Sequence, residues 1–260
     1  MELVRPGRRT KKPESYKERT YRQSAEQSDL ITSLVQIKET DLHIQADRDV
    51  QKRASELVLQ YRLQIEEYIV KHPEFYATLV PMPMDYLAPP VVRDMLQAAE
   101  AAGVGPMAAV AGSIAAFVGK KLLSEGVAEI IVENGGDIFL QRHRECTIAI
   151  FAGQSVLSNK VGVLVAPGQM PCGICTSSGT VGPSLSLGKA DSVTVVAESA
   201  ALADAAATCL GNEVKGEKDG KAGINRALEK AKEIVGIRGA VVICGDVLGA
   251  VGDIRLVRLE

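Results

Sequence analysis

The chain has 260 residues, 46% hydrophobic and 24% charged, a balance that supports a sizeable folded core and excludes a disordered chain. Aromatic residues make up only 4%, Trp is absent and Gly numbers 24, so the core packs small residues closely and offers no aromatic platform for stacking single-stranded nucleic acid. The formal charge of −2 divides into +5 over the first 22 residues and −7 over the remainder.

The basic arm, Met1 to Arg22, carries Arg5, Arg8, Arg9, Lys11, Lys12, Lys17, Arg19 and Arg22 but no base-reading motif. It reads as a solvated tail, which argues against nucleic acid as a partner. No apolar h-region follows it and no nearby Cys could carry a lipid, so the expectation is a cytoplasmic protein without a signal peptide. The longest small-apolar run, Ala108 to Gly119, falls short of the ~20 residues of a membrane span.

Leu30 to Ile37 alternates as a strand and Asp41 to Ile44 continues it beyond a short turn. From Asp47 to Lys71 apolar residues recur at three- and four-residue steps, which predicts a long amphipathic helix ending at His72-Pro73. Val80 to Pro90 contains four prolines and must be extended; its final Pro pair opens a helix through Ala102. Residues 23–260 are read as one α+β domain, with a subdivision near 80–90 as the alternative. A buried, Ala-rich helix is expected at Met107 to Leu123. Strands follow at Ala128 to Val132, Ile138 to Gln141, Cys146 to Ala152 and Val161 to Val165. Cys172 to Gly188 reads as a loop rich in Gly, Ser and Thr. Beyond it come a strand at Ser192 to Ala197, a helix at Ser199 to Leu210, and a charged loop at Glu213 to Lys221. An amphipathic helix through Val235 and strands near Ala240 to Cys244 and Ile254 to Leu259 complete the chain. Strands joined by tight turns, with helices between groups of them, indicate an α+β fold of largely antiparallel sheets packed with helices.

The five cysteines, Cys146, Cys172, Cys175, Cys209 and Cys244, are an odd number and point to reduced thiols. Cys172 and Cys175 form a C-x-x-C, but no matching His or Cys pair completes a zinc site and no helix follows as in redox motifs. Packed thiols are the favoured reading.

Three motifs carry candidate chemistry. Asn134-Gly135-Gly136-Asp137 lies at a strand end, where two glycines allow positive φ and close backbone approach to a ligand, flanked by an amide and a carboxylate; an ordinary hairpin turn explains the same residues. Thr176-Ser177-Ser178-Gly179-Thr180 could wrap an anion or a heterocycle edge with hydroxyls and main-chain N–H groups, or be a polar surface loop. Asp204 and Thr208 are one helical turn apart among alanines. They are hard oxygen donors of the kind Mg²⁺ accepts; the alternative is an exposed Asp and a Thr bonded back to its own helix.

In this order the motifs resemble those of the FAD:protein FMN transferase family, the ApbE-like proteins, whose pattern is N-x-G-G-D, T-S-G and a V-x-V strand leading to A-D-A-x-x-T. The match runs from Gly103 to Asn212, with Ser192-Val193-Thr194-Val195-Val196 as the strand and Ala203-Asp204-Ala205-Ala206-Ala207-Thr208 as the last motif. Glu39 to Leu42, His72 to Phe75 and Val104 to Gly112 look more like a prokaryotic branch related to those enzymes. The resemblance implies an ApbE-type fold and a flavin, as FAD or a similar nucleotide, held by Asn134 to Asp137 and Thr176 to Thr180. It also implies Mg²⁺ on Asp204 and Thr208, with a backbone carbonyl from Met107 to Gly112 completing the shell. It departs from the family in the interval Val181 to Ala190, which is short and has no His, and in Met107 to Gly112, which lacks the family's Lys. Two expectations follow: a Mg²⁺-dependent flavin transferase or related phosphoryl-transfer enzyme, or a non-catalytic flavin- or nucleotide-binding protein. Small apolar faces suit a homodimer.

Overall fold

The computed structural model describes residues 29–179, 187–216 and 220–259. The basic arm, Thr180 and most of the interval without His lie outside the described residues.

Eleven strands are described: β1 Ile31–Ile37, β2 Thr40–Ala46, β3 Ile130–Asn134, β4 Asp137–Gln141, β5 Cys146–Ala149, β6 Val161–Val165, β7 Cys172–Ser177, β8 Ser192–Ala197, β9 Ile237–Cys244, β10 Val247–Gly252 and β11 Arg255–Arg258. The helices are α1 Gln51–Lys71, α2 Pro73–Ala77, α3 Pro90–Ala102, α4 Val110–Ser124, α5 Ala200–Asn212 and α6 Gly220–Glu233, with a 3₁₀ turn at Pro106–Ala109 leading into α4. An eight-stranded sheet has the order β1-β2-β3-β4-β7-β8-β9-β10 and a three-stranded sheet the order β11-β6-β5. Neighbouring strands pair antiparallel throughout.

Because side chains alternate across a strand, the large sheet builds two cores. Ile130, Val132, Phe139, Cys175, Val193, Val195, Ala240 and Val242 face the helices. Ile131, Leu140, Cys172, Ile174, Val196, Val241 and Ile243 face the small sheet. On the helical side α4 lies over β3 and β4, α5 over β7 and β8, and α6 over β9 and β10, while α3 stacks on α4 and α5.

The scarcity of large side chains is explained at these contacts. Gly173 of β7 takes the backbone of Ala200 so closely that a Cβ would stand 2.3 Å from the Ala200 Cα, which seats α5 directly on the sheet. A run of alanines, Ala200 to Ala207 with Leu202 and Asp204 between them, then fills the thin gap. Ser199 caps α5, its hydroxyl accepting from the Leu202 N–H at 3.4 Å.

Several expectations are corrected. Cys172 to Ser177 is an interior strand rather than loop, since the Gly and hydroxyl residues that suggested a loop sit where a helix or a neighbouring hydroxyl packs on them. The helix expected from Asp47 starts at Gln51, and the strand expected from Ala128 to Val132 is displaced to Ile130–Asn134. β5 stops at Ala149, three residues early. The short helix α2 and strand β10 lie where neither was expected. With its 3₁₀ turn, α4 forms a 19-residue helical stretch, Pro106–Ser124, long and apolar enough by length and composition to cross a membrane. In this fold it is a core helix, with Ile114, Ala115, Ala116 and Val118 buried.

Candidate functional site

The helix-facing side of the sheet ends in a polar patch where β3, β4 and β7 meet α4 and α5. Asn134 and Asp137 are paired across the β3–β4 hairpin, and Asp137 is in turn paired with Cys175 of β7. Gly135 and Gly136, with φ of 70° and 109°, form the two-residue turn between them. These glycines serve the turn. The Gly136 N–H donates to Glu133 Oε1 at 2.9 Å and its carbonyl accepts from the Thr176 N–H at 3.1 Å, so the N–H is taken up within the hairpin and the carbonyl ties the turn to β7.

Asp204 enters from α5. Its Oδ2 accepts the Gly112 N–H at 2.9 Å, and the Ala111 N–H also bonds to the carboxylate. These are orphan donors of the first turn of α4, so Asp204 caps a helix 92 residues away in sequence. Asn134 completes the junction, Nδ2 donating to the Ala111 carbonyl at 3.1 Å. A Cβ on Gly112 would lie 2.2 Å from the Ala200 carbonyl oxygen and 2.9 Å from the Asp204 Cβ. Only glycine allows α4 and α5 this approach. Thr208 is half-buried one turn beyond Asp204 on the same helix face.

The electrostatics of the patch are one-sided. Burial pushes the Asp204 carboxyl up to about 7, against the opposing pull of the Gly112 and Ala111 N–H groups. Burial pushes Asp137 well above the usual carboxylate range, and the nearby Asp204 charge pushes it further. The Cys175 thiol donates to the Ala200 carbonyl at 3.3 Å and is raised by burial and by both carboxylates. Among the described residues no Lys or Arg forms an ion pair with either Asp. Two desolvated carboxylates and a hydroxyl are hard oxygen donors, the carboxylates have no positive partner among the described residues, and this donor set fits a divalent cation of the Mg²⁺ type. Among the described residues no group of three or more His, Cys, Asp or Glu side chains could hold a metal ion.

The Thr176 motif divides between the faces of the sheet. Ser177 points towards α5, the direction of Cys175 two residues earlier, and Gly211 lies beside its hydroxyl. Thr176 points to the opposite face, where its hydroxyl is 2.9 Å from that of Thr194. It is therefore a sheet-pairing residue, and the expectation that it lines the same site as Asp204 is corrected. Ser178 and Gly179 follow at the strand end, half-buried, and the Gly179 N–H donates to the Ala190 carbonyl at 2.9 Å. Cys172 faces the second core, across the sheet from Cys175, so the C-x-x-C has no shared face. Cys175 was missed as a site residue because the loop reading hid its alternation with Ser177. None of the three histidines belongs to the patch: His43 faces the far side of β2, His72 follows α1, and His143 follows β4.

The chain is an antiparallel sheet backed by helices, with a two-glycine hairpin facing an Asp-bearing helix, and its fold is of the ApbE class. Solved structures agree: a variant of the flavin transferase ApbE from Vibrio cholerae superposes with a TM-score of 0.56 at 14% identity, covering 86% of this chain and 97% of that one. The ApbE protein of Thermotoga maritima gives 0.53 at 13% identity, over 85% and 96%. The family model described as "AbpE bacteria" matches residues 22–256, and the chain belongs to that family. Its relatives include UPF0280 proteins of archaea. That of Methanocaldococcus jannaschii is 44% identical over 84% of this chain and 89% of its own length. That of Methanococcus aeolicus is 40% identical over 86% and 91%.

Proposed function

We propose that this protein binds a flavin nucleotide, FAD or a close analogue, together with Mg²⁺, and transfers its flavin phosphoryl group to an acceptor. The observation that carries the reading is the pair of facing carboxylates, Asp137 and Asp204, desolvated and without a basic partner among the described residues. The solved ApbE flavin transferases that share the fold support it.

Asp204, Asp137 and Thr208 would hold the cation. A bound Mg²⁺ would supply charge neutralisation for the pyrophosphate and its leaving group. Asp204 and the Gly112 N–H keep α4 and α5 in fixed register, so the oxygen donors are in place before substrate arrives. Ser177, Ser178 and the strand end around Gly179 offer hydroxyl and backbone groups to the flavin nucleotide. In the transfer, an acceptor hydroxyl oxygen forms a bond to the FMN phosphorus, the pyrophosphate P–O bond breaks, AMP leaves with the electron pair, and the hydroxyl proton passes to AMP or to solvent.

Incubating the protein with FAD and Mg²⁺ should release AMP and leave FMN free or on an acceptor, both followed by chromatography and mass spectrometry. Asp204→Asn should abolish release. A second reading, binding without catalysis, is favoured by one observation: no His stands at the patch, and the interval Val181 to Ala190 contains none. FAD binding with no AMP from any acceptor tested selects that reading and contradicts the first.

A further inference from the structure

The described sheets have four edge strands, and they differ in how they meet solvent. β11 is four residues long and carries Arg255 and Arg258, β5 is also four residues long, and β10 is interrupted by Gly249 and Gly252. Short, charged or weakened strands keep an open edge from pairing with another chain. β1 has none of these features. Its seven residues, Ile31-Thr32-Ser33-Leu34-Val35-Gln36-Ile37, include no charge and no Pro, and they pair with β2 in one unbroken register from Ile31–Ala46 to Ile37–Thr40. Along its other edge no strand is paired among the described residues. Two apolar side chains stand beside that edge in solvent, Ile31 at 50% and Leu34 at 57% exposed.

The helix above continues the apolar margin. α1 packs on β1, and its Arg62 and Glu66 turn to the β1–β2 connection, where they bond Thr40, Glu39 and Lys38. Leu59 and Leu63, each three residues earlier on that side of the helix, are about half exposed. A row of backbone N–H and C=O groups is completed only by another strand, and an uncharged strand meets its own copy without like-charge contact. A two-fold axis at Leu34 sets Leu34 beside the Leu34 of a second copy and Ile31 beside that copy's Ile37, so apolar meets apolar on both faces of the sheet. At about 3.4 Å per residue β1 is ~24 Å long, and with the helix layer ~10 Å above it the edge is of the order of the ~800 Å² a side of a standard interface.

We propose that β1 is the contact of a homodimer, in which two copies of the chain pair β1 with β1 antiparallel. The two eight-stranded sheets join into one, and the apolar margin of α1 packs on its counterpart above the joint. Because the joint opens whenever the dimer dissociates, β1 still exchanges its amides faster than strands enclosed within one chain.

The test is the mass of the full chain in solution, read by light scattering after size exclusion at micromolar concentration, with circular dichroism and Tm in parallel. Leu34→Lys brings two like charges together at the axis while replacing a side chain that is mostly outside the fold; Thr32→Lys, at another exposed position of the same edge, serves should the first variant fail to fold. The expected result is a dimer for the parent and a folded monomer for the Lys variants. A parent of any mass other than a dimer's overturns the proposal. So does a dimer that survives in the folded Lys variants, because its contact then lies elsewhere.

Discussion

Asp204 does two things with one carboxylate: it caps α4 through the Gly112 and Ala111 N–H groups, and it faces Asp137 across the patch. Burial raises its folded-state pKa to about 7 from 3.8. Between those values the folded protein binds the extra proton. Its stabilising contribution is therefore complete at low pH and is lost as pH rises through about 7. Metal-free protein in EDTA should be less stable at pH 8 than at pH 5.5 in urea unfolding, and Asp204→Asn should flatten that dependence; an equal slope in the variant contradicts it. Gly112→Ala should cost about 1–3 kcal/mol by forced overpacking, whereas Gly168→Ala, with open space around its Cβ, should stay within about 0.5 kcal/mol. The Asp204/Thr208 pair was legible in the sequence because a four-residue spacing among alanines has one helical meaning. The tertiary capping was not, since nothing local to Asp204 says which helix start it meets.

At the scale of the element, β7 explains most of what sequence reading missed. Its Gly173 and hydroxyl residues suggest a loop only when their partners are unseen: Ala200 fills the space above Gly173, and Thr194 pairs Thr176. Once it is a strand, Cys172 and Cys175 fall on opposite faces, with burial raising both thiols, Cys172 to about 11. Oxidant treatment of the native protein should give no Cys172–Cys175 disulfide, and alkylation with mass analysis should find both thiols only after unfolding. A native-state crosslink between them contradicts the strand. β10 escaped notice for a similar reason, because Gly249 looks like a break but lies against Ile224 of α6. The long helices and the β1–β2 and β3–β4 hairpins were legible because their periodicity or turn chemistry is complete within the segment.

Across the whole molecule, one sheet separates two cores, and the site sits where its helical face is thinnest. The central strands β4, β7 and β8 are hydrogen-bonded on both edges and covered on both faces, whereas β1 and β10 are edges. Amide exchange should therefore be slowest in β4, β7 and β8 and faster in β1 and β10; the reverse order would contradict the layering. The candidate subdivision near 80–90 is fastened at its middle, with Tyr68 donating to Asp85 at 3.1 Å, and the chain just before it is held where Thr78 packs on Gly105. We propose that the segment unfolds with the rest as one domain, in a single transition with coincident circular dichroism and fluorescence. The Gly and Ala richness visible at the outset proves to be the material of the α4–α5–sheet junction.

That junction is claimed to bind a flavin nucleotide through a divalent cation, and the most direct measurement is an FAD fluorescence titration with and without Mg²⁺, on the parent and on Asp204→Asn. Mg²⁺ should tighten binding to the parent by at least about tenfold and have no effect on the variant. FAD affinity that is indifferent to Mg²⁺ in the parent, or a Mg²⁺ effect that survives Asp204→Asn, would contradict the account.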